Sequence, residues 1–380
     1  MTRRHRRPTS GGRGRASAPL PQDPGPAQTT GAVIDALSSG AVGDGIADDT
    51  LALQSALDAL VPGSTLLLPA GHVFAHSDVL RIRVPGVVVT GGGTLLATQE
   101  ARSEVWIDAD RVLVQDVVVR TARTTRRWDA YEQMGLRLGA HDGITVRRVE
   151  IAGSAAAGIY AGGSRHFLLD QVDVHDTRSD GIHLTEASSD GIVRNSHVAR
   201  TGDDGVAIVS YGGVSGVPVA RISVIDTTVV GGAWGRAFSV VGGEDVSYTR
   251  ITARNSSAAA LYFSTEGNYN TTSTRRVTVD GATLINSNTL ASCDQGSILL
   301  YNGGHGASVT DVTLRNITIQ STRGTASRDV GVIDENGTVA RVSMSGFTLS
   351  GGPDTSYYGA SPAGSVIRQR WTKDGVPLTG

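Results

Sequence analysis

The sequence predicts an all-β chain: a single-stranded parallel β-helix, or solenoid, closed at its N-terminal end by one α-helix. Three observations carry this. Short apolar runs alternate with Gly-, Asp- or Ser-rich turns from Thr65 onward. Strand openings recur at nearly constant spacing, with Gly135-Leu-Arg-Leu, Gly158-Ile-Tyr-Ala, Gly181-Ile-His-Leu and Gly205-Val-Ala-Ile separated by 23, 23 and 24 residues. The 49 glycines and 5% aromatic content favour many tight turns over a thick globular core.

Residues 1–30 read as a disordered leader rich in Arg, Pro and Gly, and 31–380 as one elongated domain. The leader holds six Arg against Asp23 alone, so the remaining chain carries 28 basic and 35 acidic residues, about −7. A mildly acidic body argues against nucleic acid as a partner. The run of arginines resembles the start of an export signal, but no apolar segment follows it. There is no stretch of 18 apolar residues, so no membrane span is expected. Cys293 is the only cysteine, which excludes an intramolecular disulfide, and Lys373 is the only lysine, which limits any chemistry that needs a catalytic amine.

Between Thr50 and Leu60, Leu53, Leu57 and Leu60 share one helical face, and Asp48, Asp49 and Thr50 offer capping oxygens. A solenoid must cover its open end, and this helix, about 50–60, is the candidate cap. Strands are expected at Thr65 to Leu68, Val87 to Thr90, Val112 to Val114 and Val117 to Val119. The repeat continues through Ala237-Phe-Ser-Val, Ala260-Leu-Tyr-Phe, Ser297-Ile-Leu-Leu and Gly331-Val-Ile-Asp.

Period-2 alternation puts Leu136, Ile159, Ile182, Val206, Phe238, Leu261, Ile298 and Val332 in one inward column. Arg137, Tyr160, His183, Ala207, Ser239 and Tyr262 then face outward. Asn195, Asn255, Asn286 and Asn316 are expected to stack as a second column at successive turns. The segment from 350 to 380 is expected to be an irregular C-terminal cover.

The chemistry concentrates between Ser179 and Ile208. Asp180-Gly181 and Asp203-Asp204-Gly205 each open a strand, and Asp180 and Asp204 are 24 residues apart. Stacked coils would bring all three carboxylates to one patch, about 4.8 Å apart along the column. Glycosidic hydrolysis commonly uses one carboxylic acid to protonate the leaving oxygen and one carboxylate to activate water. Crowding should keep at least one of the three protonated.

Asp-Gly is also an ordinary turn dipeptide, and Asp142-Gly143 and Asp190-Gly191 are read as turns. The Asp203-Asp204 doublet stands apart because no other coil has two acids there. His183, Tyr160, Arg137, Trp234, Arg236 and Tyr262 are candidate sugar-binding residues around it, with Glu186 and Glu266 on the groove rim. No metal ligand set and no cofactor are expected.

Two resemblances rest on these residues. GAVGDGIADDTLALQSAL resembles the N-terminal signature of the pectate-lyase-like superfamily, which implies a right-handed parallel β-helix. SDGIHL and TGDDGVAI resemble the acidic motifs of family 28 glycoside hydrolases, the polygalacturonase group. That resemblance implies that Asp203 or Asp204 is the general acid, that Asp180 and the other activate water with inversion, and that the protein is secreted.

The sequence also departs from the family. Gly232-Ala-Trp234-Gly-Arg236 stands where the family has its Gly-His-Gly, and Gly304-His305-Gly306 lies several coils away as a loop coincidence. Tyr262-Phe-Ser264 replaces Arg-x-Lys. Without these galacturonate-binding groups, the expected partner is a neutral or differently charged polysaccharide or oligosaccharide. Two other readings fit the same fold: a polysaccharide lyase or epimerase, and a noncatalytic glycan-binding solenoid.

Overall fold

A computed structural model describes residues 21–23, 31–213 and 216–378. The leader expected over 1–30 lies outside the described residues apart from 21–23. From Asp44 to Leu378 the chain winds as a parallel solenoid. Eleven strands, from Leu80–Ile82 to Tyr357–Ala360, stack into one sheet, and a second, larger sheet wraps the other sides.

The inward column forms as the alternation predicts. Leu136, Ile159, Ile182, Val206, Phe238, Leu261 and Ile298 are stacked rung on rung and fully buried. The last member differs, because Val330 pairs with Ile298 while Val332 pairs with Leu300. The expected opening at Gly331 is two residues late, and since the side-chain period is two, Val332 still faces inward.

Glycine opens four of these strands because the coils approach too closely for a side chain. A Cβ on Gly181 would lie 2.3 Å from Val198 Cγ1 and 2.7 Å from the Gly205 carbonyl oxygen, and one on Gly205 would lie 2.4 Å from Val229 Cγ1. These contacts set how near the residues just before each glycine come to one another. Those residues are Asp180 and Asp204.

The cap helix spans Thr50–Asp58 and buries Leu53, Ala56 and Leu57. Its capping differs from expectation. Asp48 accepts the Thr50 N–H at 3.0 Å, whereas the Asp49 carboxylate turns back and accepts the N–H groups of Val42 and Gly43 at 2.6 and 3.0 Å. Gln54 closes the sheet edge. Its amide donates to the Arg81 carbonyl at 3.0 Å and accepts the Arg81 N–H at 2.9 Å, taking the place of a neighbouring strand.

Two other expectations are corrected. The asparagines fall in two separate turn columns. Asn195 and Asn316 occupy one and pair with Asp170 and Asp280, while Asn255 and Asn286 occupy the other and are the pair that bonds directly, at 2.8 Å. All four adopt positive φ, so the demand of each turn for a left-handed residue, which Asn tolerates, accounts for them better than mutual stacking.

The C-terminal segment is not irregular. Tyr357–Ala360 and Val366–Lys373 add a further parallel rung, with Val376–Leu378 antiparallel to the second of these strands. Trp371 stacks on Phe347 at 4.3 Å and shields the end of the core.

Candidate active site

Asp180 and Asp204 occupy equivalent positions on adjacent rungs, each two residues ahead of the paired residues Ile182 and Val206. The Asp204 N–H donates to Asp180 Oδ1 at 2.9 Å, and the other Asp180 oxygen lies 2.6 Å from His183 Nδ1. On the next rung, Arg236 takes the same position and donates its backbone N–H to Asp204 Oδ1 at 2.7 Å, while its guanidinium lies 3.7 Å from that oxygen. Asp203, one residue earlier, is overlaid by Gly235. A Cβ on Gly235 would lie 2.3 Å from the Asp203 carbonyl carbon, so only glycine leaves the doublet in place.

One oxygen of each carboxylate lies within 4.8 Å of the others, close enough for each charge to disfavour ionisation of its neighbours. Burial pushes Asp204 up to about 7 despite the neighbouring Arg236. Asp203 is also raised, first by burial and then by the charge of Asp180, against the opposing pull of Arg127. Arg127 Nη1 reaches Asp203 Oδ2 at 2.5 Å from the segment that joins the rungs of Thr121 and Leu136. Of the three acids, Asp203 is the most open, with a side chain 22% exposed against 11% for Asp180 and 7% for Asp204.

These acids line an open cleft of about 680 Å³. His183, Tyr160, Trp234, Arg236 and Glu266 share it, as expected from the sequence. Tyr160 stacks on His183 with ring centroids 5.4 Å apart, and so holds the imidazole against Asp180.

Three of the expected residues lie beside the cleft and not on its wall. Arg137 is drawn into an ion pair with the buried Glu104, and its guanidinium lies 3.9 Å over Trp106. Glu186 accepts the hydroxyls of Tyr160 and Tyr131 at 2.8 and 2.5 Å. Tyr262 lies under the Arg236 guanidinium, 4.2 Å from it, and bonds Glu266 at 2.9 Å. The outward column therefore leaves the solenoid core, yet loops cover much of it: Tyr160, Ala207, Ser239 and Tyr262 are all buried.

Arg127, Trp128, Tyr211, Tyr269 and Tyr301 line the cleft without having been singled out from the sequence. All but Tyr301 come from segments inserted between rungs. The signal for the first two was the long interval between the strands ending at Thr121 and opening at Leu136. His305 is exposed in the loop after Ile298–Asn302 and is absent from the cleft, as expected.

The profile of the family described as right handed beta helix region matches residues 134–317. Against curated protein sequences the chain finds no match. Among solved structures, the catalytic unit of a thermostable α-1,3-glucanase from Streptomyces thermodiastaticus is similar with a TM-score of 0.62 and 18% identity, over 93% of this chain and 70% of that one. An exopolygalacturonase from Thermotoga maritima is similar with a TM-score of 0.63 and 15% identity, over 95% and 94%. An alginate lyase from Paenibacillus is similar with a TM-score of 0.53 and 15% identity, over 89% and 98%. With its stacked parallel rungs and its helical cap, the chain has the fold of a right-handed parallel β-helix.

Proposed function

We propose that the protein hydrolyses glycosidic bonds in a polysaccharide or oligosaccharide, with Asp180, Asp203 and Asp204 as its catalytic groups. The observation that carries this reading is the crowding of three carboxylates, two with raised pKa, in an open cleft walled by Tyr and Trp side chains. Such a cluster retains a proton near neutral pH and so can supply acid and base together. Asp203, the most open of the three, delivers that proton to the leaving oxygen. Asp180 and Asp204 hold the attacking water.

The products are expected to be inverted. The acidic motifs resemble those of family 28 glycoside hydrolases, which implies attack by water, and the lone pairs that Asp180 keeps beside its bonds to the Asp204 N–H and His183 can accept the proton of that water. The oxygens lie within 4.8 Å of one another, closer than the ~6.5–9.5 Å usual for a two-carboxylate inverting site. Three acids relax that requirement, because the water is held by a pair and the proton comes from the third.

The sugar at the reacting bond is expected to be neutral. Asp129, Asp180, Asp203, Asp204 and Glu266 line the cleft against Arg127 and Arg236, and both arginines already face carboxylates. A uronate there would add a further negative charge to an acidic wall. The similar α-1,3-glucanase and exopolygalacturonase show that this fold accommodates both kinds of glycan.

The test is incubation with a panel of neutral and acidic glycans, with Asp180→Asn and Asp204→Asn as controls. Reducing ends released by the wild type and not by the variants support the reading. Equal release by the variants, or none from any glycan, sinks it and leaves a noncatalytic binding solenoid. Similarity to an alginate lyase favours elimination as the second reading, with Arg127 or Arg236 neutralising a uronate. Ultraviolet absorbance separates the two, since only elimination leaves an unsaturated sugar.

A further inference from the structure

Beside the cleft lies a second groove of about 980 Å³, formed where the rungs turn from the larger sheet toward the strands that carry the acids. Arg127 lines both, so the two are neighbours. The groove has the opposite charge to the cleft: Arg120, Arg123, Arg127, Arg178 and Arg200 face it, against Glu150 and Asp176.

Three of the five arginines are committed. Arg200 grips Asp176 through two bonds of 2.7 Å, Arg178 holds the Thr124 carbonyl and hydroxyl at 2.6 and 3.0 Å, and Arg127 holds Asp203. Arg178 thereby fixes the segment that carries Arg123 and Arg127.

Arg120 and Arg123 are exposed, and among the described residues neither side chain has a hydrogen bond or an ion pair. On the turns of this solenoid, arginines such as Arg148, Arg221, Arg250 and Arg341 each grip an aspartate one rung away with two bonds. Arg120 has Leu96 and Ala152 as its rung neighbours and no such partner. Two uncompensated guanidinium groups in a concave, solvent-open groove form a receptor for carboxylate or sulfate oxygens.

We propose that this groove binds an anionic substituent, carboxylate or sulfate, on a glycan whose hydrolysed bond lies in the neighbouring cleft. The inference rests on the hydrolase reading for the shared chain, but the anion-binding step does not depend on catalysis. The substrate class is thus a glycan that is neutral at the scissile linkage and acidic some sugars away. Arg127 marks the point where the chain crosses from one wall to the other.

Affinity electrophoresis of the intact chain tests this, in gels cast with polygalacturonate, with carrageenan, or with dextran as the neutral control. Retardation by one or both acidic glycans and not by dextran is expected, and the two acidic gels distinguish carboxylate from sulfate. Arg120→Ser combined with Arg123→Ser should weaken the retardation several-fold at low salt, and the difference should shrink as salt is raised. Asp180→Asn should be retarded as strongly as the wild type, so loss of the hydrolase reading and loss of this one are separable. No retardation, or retardation unchanged in the double variant, overturns the proposal. Equal displacement by a DNA oligonucleotide of the same charge also overturns it, since the groove would then be a general polyanion surface.

Discussion

Arg127 and Asp203 are 76 residues apart in the chain, and their side chains meet at 2.5 Å across the mouth of the cleft. Arg127 favours the ionised form of Asp203, while burial and Asp180 favour the protonated form. The two influences are set on one carboxyl, and Arg127 is the half that a substitution can remove.

Replacing Arg127 with Ala should therefore raise the Asp203 pKa further. If Asp203 is the acid, the basic limb of the pH–rate profile moves to higher pH, because the protonated form persists longer. The profile of kcat/KM against pH in wild type and Arg127→Ala measures this. A basic limb that stays in place, or moves down, removes Asp203 from the acid role.

Asp203→Asn and Asp180→Asn should each lower kcat by roughly 10²–10⁴-fold, the range expected for losing a positioned proton-transfer group. Under the proposed mechanism the three acids act as one unit, so pairs of substitutions should cost much less than the product of the singles. Steady-state kinetics on the single and double variants check both statements. Independent, multiplicative losses would show that the acids do not act together.

Asp204 makes a separate prediction for stability. Its folded pKa is raised to about 7 from 3.8, so between those pH values the folded chain holds a proton that the unfolded chain has released. Stability therefore falls as pH rises from about 4 to about 7, and above that the cost of the buried charge is fully present. Asp204→Asn should raise the melting temperature at pH 8 and change it little near pH 4, with a gain of at most a few kcal/mol at about 1.4 kcal/mol per pKa unit. Thermal melts at the two pH values check it. A variant less stable than the wild type at pH 8 would show that the Arg236 contacts outweigh the burial cost.

Much of this could be read from the residues because a solenoid repeats one local solution. The Gly158, Gly181 and Gly205 column, the inward aliphatics and the Asp180/Asp204 pairing all follow from a fixed period, and they fall where the spacing places them. What escaped was irregular. Arg127, Trp128, Tyr211 and Tyr269 sit on segments inserted between rungs, where no period operates and contacts are long-range.

The alternating column Asp190, Arg221, Asp245, Arg276, Asp311 and Arg341 also went unread. Its members are spaced unevenly in sequence and share only a turn position and positive φ. In this column arginine suits the site better than lysine, since the fork grips the aspartate below it through two donors. Arg221→Lys should cost under ~1 kcal/mol, as the pair is partly exposed. Phe238→Ala, in the buried column, should cost ~3–5 kcal/mol.

The glycine ahead of each strand ties the fold to the site most directly. Adding a methyl at Gly181 sets it 2.3 Å from Val198 and 2.7 Å from the Gly205 carbonyl, so two rungs must separate locally. Overpacking of this kind costs ~1–3 kcal/mol. Asp180 immediately precedes Gly181, and the same separation stretches its 2.9 Å bond from the Asp204 N–H. Gly181→Ala should therefore lose activity out of proportion to its loss of stability. Gly158→Ala meets similar contacts, with Val174 at 2.3 Å, but Ala157 precedes it instead of an acid, and it should lose stability with a smaller loss of activity. Chemical denaturation and kcat measured side by side on the two variants check the contrast. Equal activity losses at equal destabilisation would mean that the spacing of these rungs does not set the geometry of the carboxylates.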